Sequence, residues 1–125
     1  MVVENLKDRI YAGNKRILRY TIANLDASGS PALDLTPFEL RWALSQSDAL
    51  GNYSTTPVLE KTTTGGGIVK TDASNGECEV TLVSADTVAL AAGIYYFELE
   101  VVDGSSEVVT VATGTITILA DVVNA

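Results

Sequence analysis

The sequence predicts an all-β domain built as a sandwich of two antiparallel sheets. Three observations lead to this class. Apolar and polar residues alternate with a period of two in several segments, residues that favour turns separate those segments, and no long segment has a sustained helical period. Hydrophobic residues make up 46% of the 125 residues, which suits one core and leaves little for a second. We therefore interpret residues 1–125 as a single domain.

The first core strand is predicted in residues 15–23. Leu18, Tyr20 and Ile22 lie on one face of this strand and alternate with the residues of the other face. Residues 24–31 contain Asp, Ser, Gly and Pro, which favour a surface loop because they bond nearby amides, accept positive φ or fix φ. The segment before Lys15 is compatible with an edge strand, a short helix or a swapped arm.

The most regular alternation surrounds the single tryptophan. Phe38, Leu40, Trp42 and Leu44 share one predicted face, and the intervening side chains form the other. Large inward aromatic residues of this kind resemble the tryptophan found on the central strand of many sandwiches. Residues 46–57 then lose the alternation and are rich in Ser, Asn, Thr, Gly and Asp, so we expect a long exposed connection there.

The middle of the chain predicts short strands separated by turns. Residues 58–61 and 68–71 flank a threonine- and glycine-rich turn at residues 62–67, which indicates a flexible tip or an edge bulge. A tight turn at residues 74–76 leads into a strand at residues 77–82. Alternation in that strand directs three side chains inward, namely those of Cys78, Val80 and Leu82.

The last third of the chain predicts one helical turn and two long strands. Residues 84–91 begin with capping residues, continue with good helix formers and precede Gly93, which indicates a short helical turn that bridges the two sheets. Alternation then resumes with four inward residues, namely Tyr95, Phe97, Leu99 and Val101. After a turn at residues 103–106, the final strand spans residues 108–119, where Gly114 predicts a bulge or a bend.

About seven strands without an internal repeat predict an immunoglobulin-like antiparallel β-sandwich. Two pairs of neighbouring strands would then carry opposite charges on their outer faces, with Arg19 near Glu77 and Glu79, and Arg41 near Glu98 and Glu100. Exposed pairs of this kind contribute only about 0.2 to 1 kcal/mol each. We expect them to specify strand pairing and to keep the faces soluble.

The charge distribution argues against nucleic acid as a partner. The net charge is −8, and every lysine and arginine lies at or before Lys70. Phosphate binding needs clustered cations, which this chain does not offer. The longest apolar or glycine run, residues 88–97, is too short to cross a membrane as a helix, so we expect no membrane insertion. The N-terminus lacks a basic start followed by an apolar block, so we expect synthesis in the cytoplasm without export.

The residues of common enzyme and metal sites are missing or wrongly spaced. The absence of histidine removes the commonest general base and zinc ligand, and it leaves Cys78 without an activating partner, so a packing thiol is expected. Residues 65–67 are not followed by the Gly-Lys-Ser/Thr of a phosphate-binding loop. The acidic turns at residues 26–29 and 103–107 lack the alternating oxygen ligands of a calcium loop.

Paired carboxylates could serve glycoside hydrolysis, but the pairs Glu77/Glu79 and Glu98/Glu100 fall on outward strand faces without an evident cleft. We therefore identify no catalytic residue, no cofactor or cofactor-binding residue and no metal ligand, and we interpret the chain as a protein that is not an enzyme. Candidate exposed aromatic residues remain, namely Tyr11, Tyr53 and Tyr96.

Several motifs together resemble the small immunoglobulin-like modules of tailed-phage and prophage structural proteins, including the N-terminal domain of upper baseplate proteins. The motifs occupy nearly the whole chain, at residues 11–15, 31–36, 38–42, 75–82, 84–87, 90–96 and 114–118. The Leu-x-x-Gly-x-Tyr motif beginning at Leu90 turns the chain between sheets in the way of a tyrosine corner, with Tyr95 or Tyr96 bonding back to the loop.

This resemblance implies a non-enzymatic structural protein of a phage or prophage virion, in the tail, the baseplate, the head-tail junction or the capsid surface. Its partners would be other virion proteins or copies of itself, bound by edge strands or by a sheet face. The alternative hypothesis is a carbohydrate-binding or host-receptor-binding module that uses residues 46–57 and Tyr53.

Overall fold

The computed structural model describes residues 3–24, 28–29, 31–47, 50 and 52–120. This part of the chain contains eight strands, one 3-10 turn at Ala73–Asn75 and one short helix, α1, at Ser84–Thr87. The strands are β1 (Val3–Tyr11), β2 (Arg16–Thr21), β3 (Glu39–Gln46), β4 (Leu59–Thr62), β5 (Ile68–Asp72), β6 (Glu77–Leu82), β7 (Gly93–Val102) and β8 (Val108–Leu119).

The strands form two sheets, which confirms the predicted all-β sandwich. The larger sheet has the order β1-β8-β7-β3-β4, and the smaller has the order β2-β6-β5. The short helix predicted near residues 84–91 is present and carries the chain from β6 in one sheet to β7 in the other.

The segment before Lys15, for which the sequence left three alternatives open, forms the edge strand β1. It pairs with β8 in parallel, whereas the other strand pairs are antiparallel. No hairpin connects β1 to β8, so the connection does not require the two strands to be antiparallel. After β1 the chain passes to β2 in the opposite sheet, and β8 is the last strand along the chain.

The predicted inward faces form the core. Trp42 is fully buried, its Nε1–H donates a 3.2 Å hydrogen bond to the Tyr20 hydroxyl, and its ring stacks on that of Phe97 at 6.1 Å between centroids. Burying an indole N–H requires such a partner, and Tyr20 provides it from the opposite sheet. Cys78 is only 1% exposed, which confirms its predicted position in the core, and burial raises the pKa of its thiol to about 11.

The predicted cross-strand neighbours are confirmed. Arg19 lies opposite Glu79 in the register of β2 and β6, and its Nε lies 2.7 Å from a carboxylate oxygen of that residue. Arg41 lies opposite Glu100 in the register of β3 and β7. Oppositely charged residues therefore lie opposite each other on the outer faces of the β2–β6 and β3–β7 pairs.

The bulge or bend predicted at Gly114 lies beside an irregularity of the β1–β8 ladder, where Gly114 pairs with Leu6 next to a register shift between Val3 and Leu6. Gly114 pairs with Phe97 in the regular part of the β7–β8 ladder, and the irregularity of that ladder lies between the pairs Leu99–Ala112 and Glu100–Thr110. Val111 is the extra residue there, and both Val111 and Ala112 are buried. Two consecutive inward side chains are the signature of a bulge, since a regular strand alternates its faces.

The two predicted loops are described in part, because residues 25–27, 30, 48, 49 and 51 lie outside the described residues. The loop before β3 is closed by a bridge between Ala23 and Ala32. The loop after β3 is closed by a bridge between Ser47 and Tyr53, which returns the chain to the sheet. The glycine-rich turn at residues 62–67 connects β4 and β5, which lie in different sheets.

Candidate functional site

The outer face of the larger sheet contains a depression over β3. Ala43 pairs with Glu98 of β7 on one side and with Glu60 of β4 on the other. Ser45, two residues further along the same face, pairs with Tyr96. Because the two residues of β3 are small and their neighbours are large, the middle strand forms the floor of a depression and its neighbours form the walls.

The loop after β3 provides an aromatic wall. The bridge between Ser47 and Tyr53 folds this loop back, and the Ser54 amide donates a 3.0 Å hydrogen bond to the Gln46 carbonyl. Tyr53 is thereby stacked on Tyr96, with 3.8 Å between ring centroids and 17° between ring planes. Tyr53 keeps 48% of its surface exposed, so the pair offers an aromatic surface to solvent.

These residues enclose a cavity of about 420 Å³ that opens to solvent, which we call the Ala43 concavity. Its nine lining residues are Ala43, Ser45, Tyr53, Ser54, Thr55, Pro57, Glu60, Tyr96 and Glu98. The lining combines hydroxyl groups, two tyrosine rings and two carboxylates, and it includes no lysine or arginine. Such a mixture of apolar surface and a few convergent polar groups is typical of a binding site.

Hydrogen bonding fixes one carboxylate of the Ala43 concavity. The Tyr96 hydroxyl donates a 2.8 Å hydrogen bond to Oε1 of Glu98. Burial of the ring and then this bond to a carboxylate raise the pKa of Tyr96 well above its usual range, so the phenol remains a donor at neutral pH. The carboxylate is held beside Ala43 and presents its charge to the concavity.

The structure brings together two of the three aromatic residues singled out in the sequence. Tyr53 and Tyr96 are 43 positions apart in sequence and stack on each other, whereas Tyr11 is 53% exposed beside Arg9 at the β1 edge. The prediction that Glu98 lies on a face without a cleft is wrong, because Glu98 lines the Ala43 concavity. Glu100 lies one row further along the same face, opposite Arg41.

Sequence reasoning missed the floor and the second carboxylate of the site. Ala43 and Ser45 are two of the side chains that alternate with the inward face of Trp42, and the available signal was that both are small and occupy successive positions on one strand face. Glu60 could not be linked to Glu98, because their relationship depends on the sheet order β7-β3-β4. Among the described residues, no group of three or more potential ligands could hold a metal ion. The described segments also include no helix of the length and apolarity needed to cross a membrane.

Comparison with solved structures places this fold beside a phage domain. The N-terminal domain of phage TP901-1 ORF48 matches with a TM-score of 0.51 and 11% identity, over 96% of this chain and 94% of that domain. The chain shares the fold of that domain. CopC from Methylosinus trichosporium OB3b also matches, with a TM-score of 0.41 and 14% identity, over 91% of this chain and 84% of CopC. No family model and no curated protein matches the sequence.

Proposed function

We propose that this chain is a non-enzymatic structural protein of a phage or prophage virion and that it acts by binding other proteins. The observation that carries the proposal is the likeness to the phage TP901-1 ORF48 domain, which extends over almost the full length of both chains. The sequence motifs that resemble phage structural modules support the same role. The proposed locations are the tail, the baseplate, the head-tail junction and the capsid surface.

The sandwich offers two kinds of surface for assembly. The edge strands are β1 and β4 in the larger sheet and β2 and β5 in the smaller sheet. Their outward backbone groups can pair with a strand of a neighbouring protein. Exposed apolar side chains supply further contact area, among them Val69 on β5, Ile94 on β7 and Val109 on β8. Many symmetric copies of a weak contact are sufficient for a stable particle.

The test is quantitative mass spectrometry of particles purified from an induced culture of the organism that carries the gene. A structural protein is expected in fixed proportion to known capsid subunits, and the copy number distinguishes a tail ring from a capsid-wide component. A matched control is the same purification from an uninduced culture. Absence of the chain from intact particles would overturn the proposal.

The Ala43 concavity favours a second candidate, a carbohydrate-binding or host-receptor-binding module. Stacked tyrosine rings beside hydroxyl groups and carboxylates are a common arrangement in sugar sites. A glycan array with the intact chain, with Tyr53→Ala as the test variant and Tyr11→Ala as the control, addresses this candidate. Binding that only Tyr53→Ala removes would support it, and an array without signal would rule it out.

A further inference from the structure

We propose that the Ala43 concavity receives an arginine side chain of a neighbouring protein in the particle. This inference rests on the assembly role proposed above and specifies the chemistry of one contact. Three features of the nine lining residues carry it, namely two carboxylates without a lining cation, a serine hydroxyl without a protein partner among the described residues, and an accessible aromatic pair.

The first feature is charge. Glu60 and Glu98 lie on either side of Ala43, so their Cα atoms are separated by two interstrand spacings, or about 10 Å. No lining residue is positively charged. The neighbouring Lys61 contributes its ammonium group to Asp86 at 2.8 Å. Arg41 lies on the same face one row away, opposite Glu100, and is not a lining residue. A cationic group that enters between Glu60 and Glu98 would be attracted by both carboxylates.

The second feature is the Ser45 hydroxyl. Ser45 is only 9% exposed, yet no hydrogen bond among the described residues uses its hydroxyl group. Every fully buried side-chain nitrogen or oxygen atom in the described part of the chain has a hydrogen-bond partner. Because the Ser45 hydroxyl has none, its oxygen is not fully buried and remains accessible from the concavity. An entering donor could therefore use this hydroxyl as an acceptor in place of water.

The third feature is the tyrosine pair. Aromatic faces attract cations, and a guanidinium group is flat enough to stack on a ring while it donates a fork of hydrogen bonds to a carboxylate. Tyr53 supplies the accessible ring, and Tyr96 supports it and fixes Glu98. A neutral sugar could stack on the ring and donate hydroxyl hydrogen bonds to the carboxylates, but it carries no positive charge to balance them. The combination therefore favours arginine over a neutral sugar.

The test is a titration of the 125-residue chain with N-acetyl-arginine methylamide, followed by the backbone amide resonances of Ala43, Ser45 and Tyr96. We expect saturable shifts at these three amides. N-acetyl-citrulline methylamide has nearly the same shape without the charge, and it should produce no comparable shifts. Raising sodium chloride from about 0.05 M to about 0.5 M should weaken arginine binding, because the Debye length falls.

Three variants distinguish binding at this site from a general attraction of arginine to an acidic protein. Glu98→Gln removes one of the two charges and should weaken binding about three- to fivefold. Glu77→Gln removes the same charge from an exposed position of the other sheet and should leave binding unchanged. Ala43→Val fills the floor without altering charge and should also weaken binding, since a branched side chain is well tolerated in a strand.

Equal binding of the arginine and citrulline compounds would overturn the inference. So would equal losses in Glu98→Gln and Glu77→Gln, which would indicate only the attraction of the net charge. A neutral oligosaccharide that shifts the same amides more strongly would assign the concavity to a sugar. Finding the chain in virions while arginine fails to bind would reject this contact alone, and its absence from virions would reject the assembly role.

Discussion

The Tyr95 hydroxyl donates a 2.7 Å hydrogen bond to the backbone carbonyl of Ala91, four residues earlier in the chain. Tyr95 is 3% exposed and belongs to β7, whereas Ala91 lies in the connection that leaves α1. The bond fixes the point at which the chain crosses from the smaller sheet to the larger one. This is the tyrosine corner that the Leu-x-x-Gly-x-Tyr motif predicted, and Tyr95 is the residue that forms it.

Removing this hydroxyl should destabilise the sandwich measurably. Tyr95→Phe loses the bond and keeps the ring, so we expect the free energy of unfolding in urea to fall by about 0.5 to 1.5 kcal/mol. Tyr96→Phe is the matched control, because its hydroxyl binds a side chain on the outer face and should contribute less. Equal stability losses in the two variants would contradict the assignment of the corner to Tyr95.

Gly76 is required by the turn that precedes β6. Its φ is +73°, and an added Cβ would collide with the backbone carbonyl oxygen of Ile22. Gly76→Ala should therefore lower the free energy of unfolding by at least about 2 kcal/mol, through both the left-handed conformation and the collision. Gly104→Ala adds the same methyl group where no atom lies within 4 Å, and it should have little effect. Urea denaturation of both variants compares them directly.

Glu39 should make stability depend on pH in the acidic range. Hydrogen bonds from the Thr64 hydroxyl at 2.6 Å and its amide at 3.0 Å lower the pKa of Glu39 from 4.5 to about 2. A depressed pKa in the folded state stabilises the fold above the unfolded pKa and ceases to do so as pH falls to about 2. The stability difference between the parent chain and Glu39→Gln should therefore shrink between about pH 5 and pH 2.

Thr64→Val provides the second arm of that experiment. It removes the hydroxyl donor and keeps the backbone donor, so the pKa of Glu39 should rise toward its usual value and the acid dependence should flatten. Urea titrations at a series of pH values give the required slopes. An unchanged slope in both variants would show that other carboxylates determine the acid response.

Two ion pairs of similar length should differ in strength because their burial differs. Lys61 and Asp86 join β4 to α1 at 2.8 Å, with side chains 17% and 15% exposed, whereas the side chain of Arg19 in the Arg19–Glu79 pair is 71% exposed. Double-mutant cycles should give about 1 kcal/mol or more for the first pair and about 0.2 to 0.5 kcal/mol for the second.

Lys61→Met and Asp86→Asn are suitable variants for the first cycle, since methionine keeps the apolar stem and asparagine keeps an oxygen for the Val83 amide. Repeating both cycles in about 0.5 M salt should reduce the Arg19–Glu79 coupling more, because exposed charges are screened more effectively. The reverse order of coupling energies would show that burial does not govern these pairs.

The alternation of side chains determined the faces of the strands. Trp42, Cys78 and Tyr95 all point inward as their positions in the sequence predicted, because successive residues of a strand point to opposite faces and only one face can be buried. Turn residues determined where the strands end. A glycine permits an irregularity without requiring one, so the register shift beside Gly114 and the bulge at Val111 depend on how β8 pairs with β1 and with β7.

The tertiary structure alone decided the parallel pairing of β1 with β8 and the composition of the Ala43 concavity. Residues 43, 60 and 96 lie on three different strands, and they meet because β3 lies between β4 and β7. Tyr53 joins them through its bridge with Ser47 and its stacking on Tyr96. Local propensity fixes each strand by itself. The order of strands across a sheet depends on long-range packing, and no pattern within a single strand encodes it.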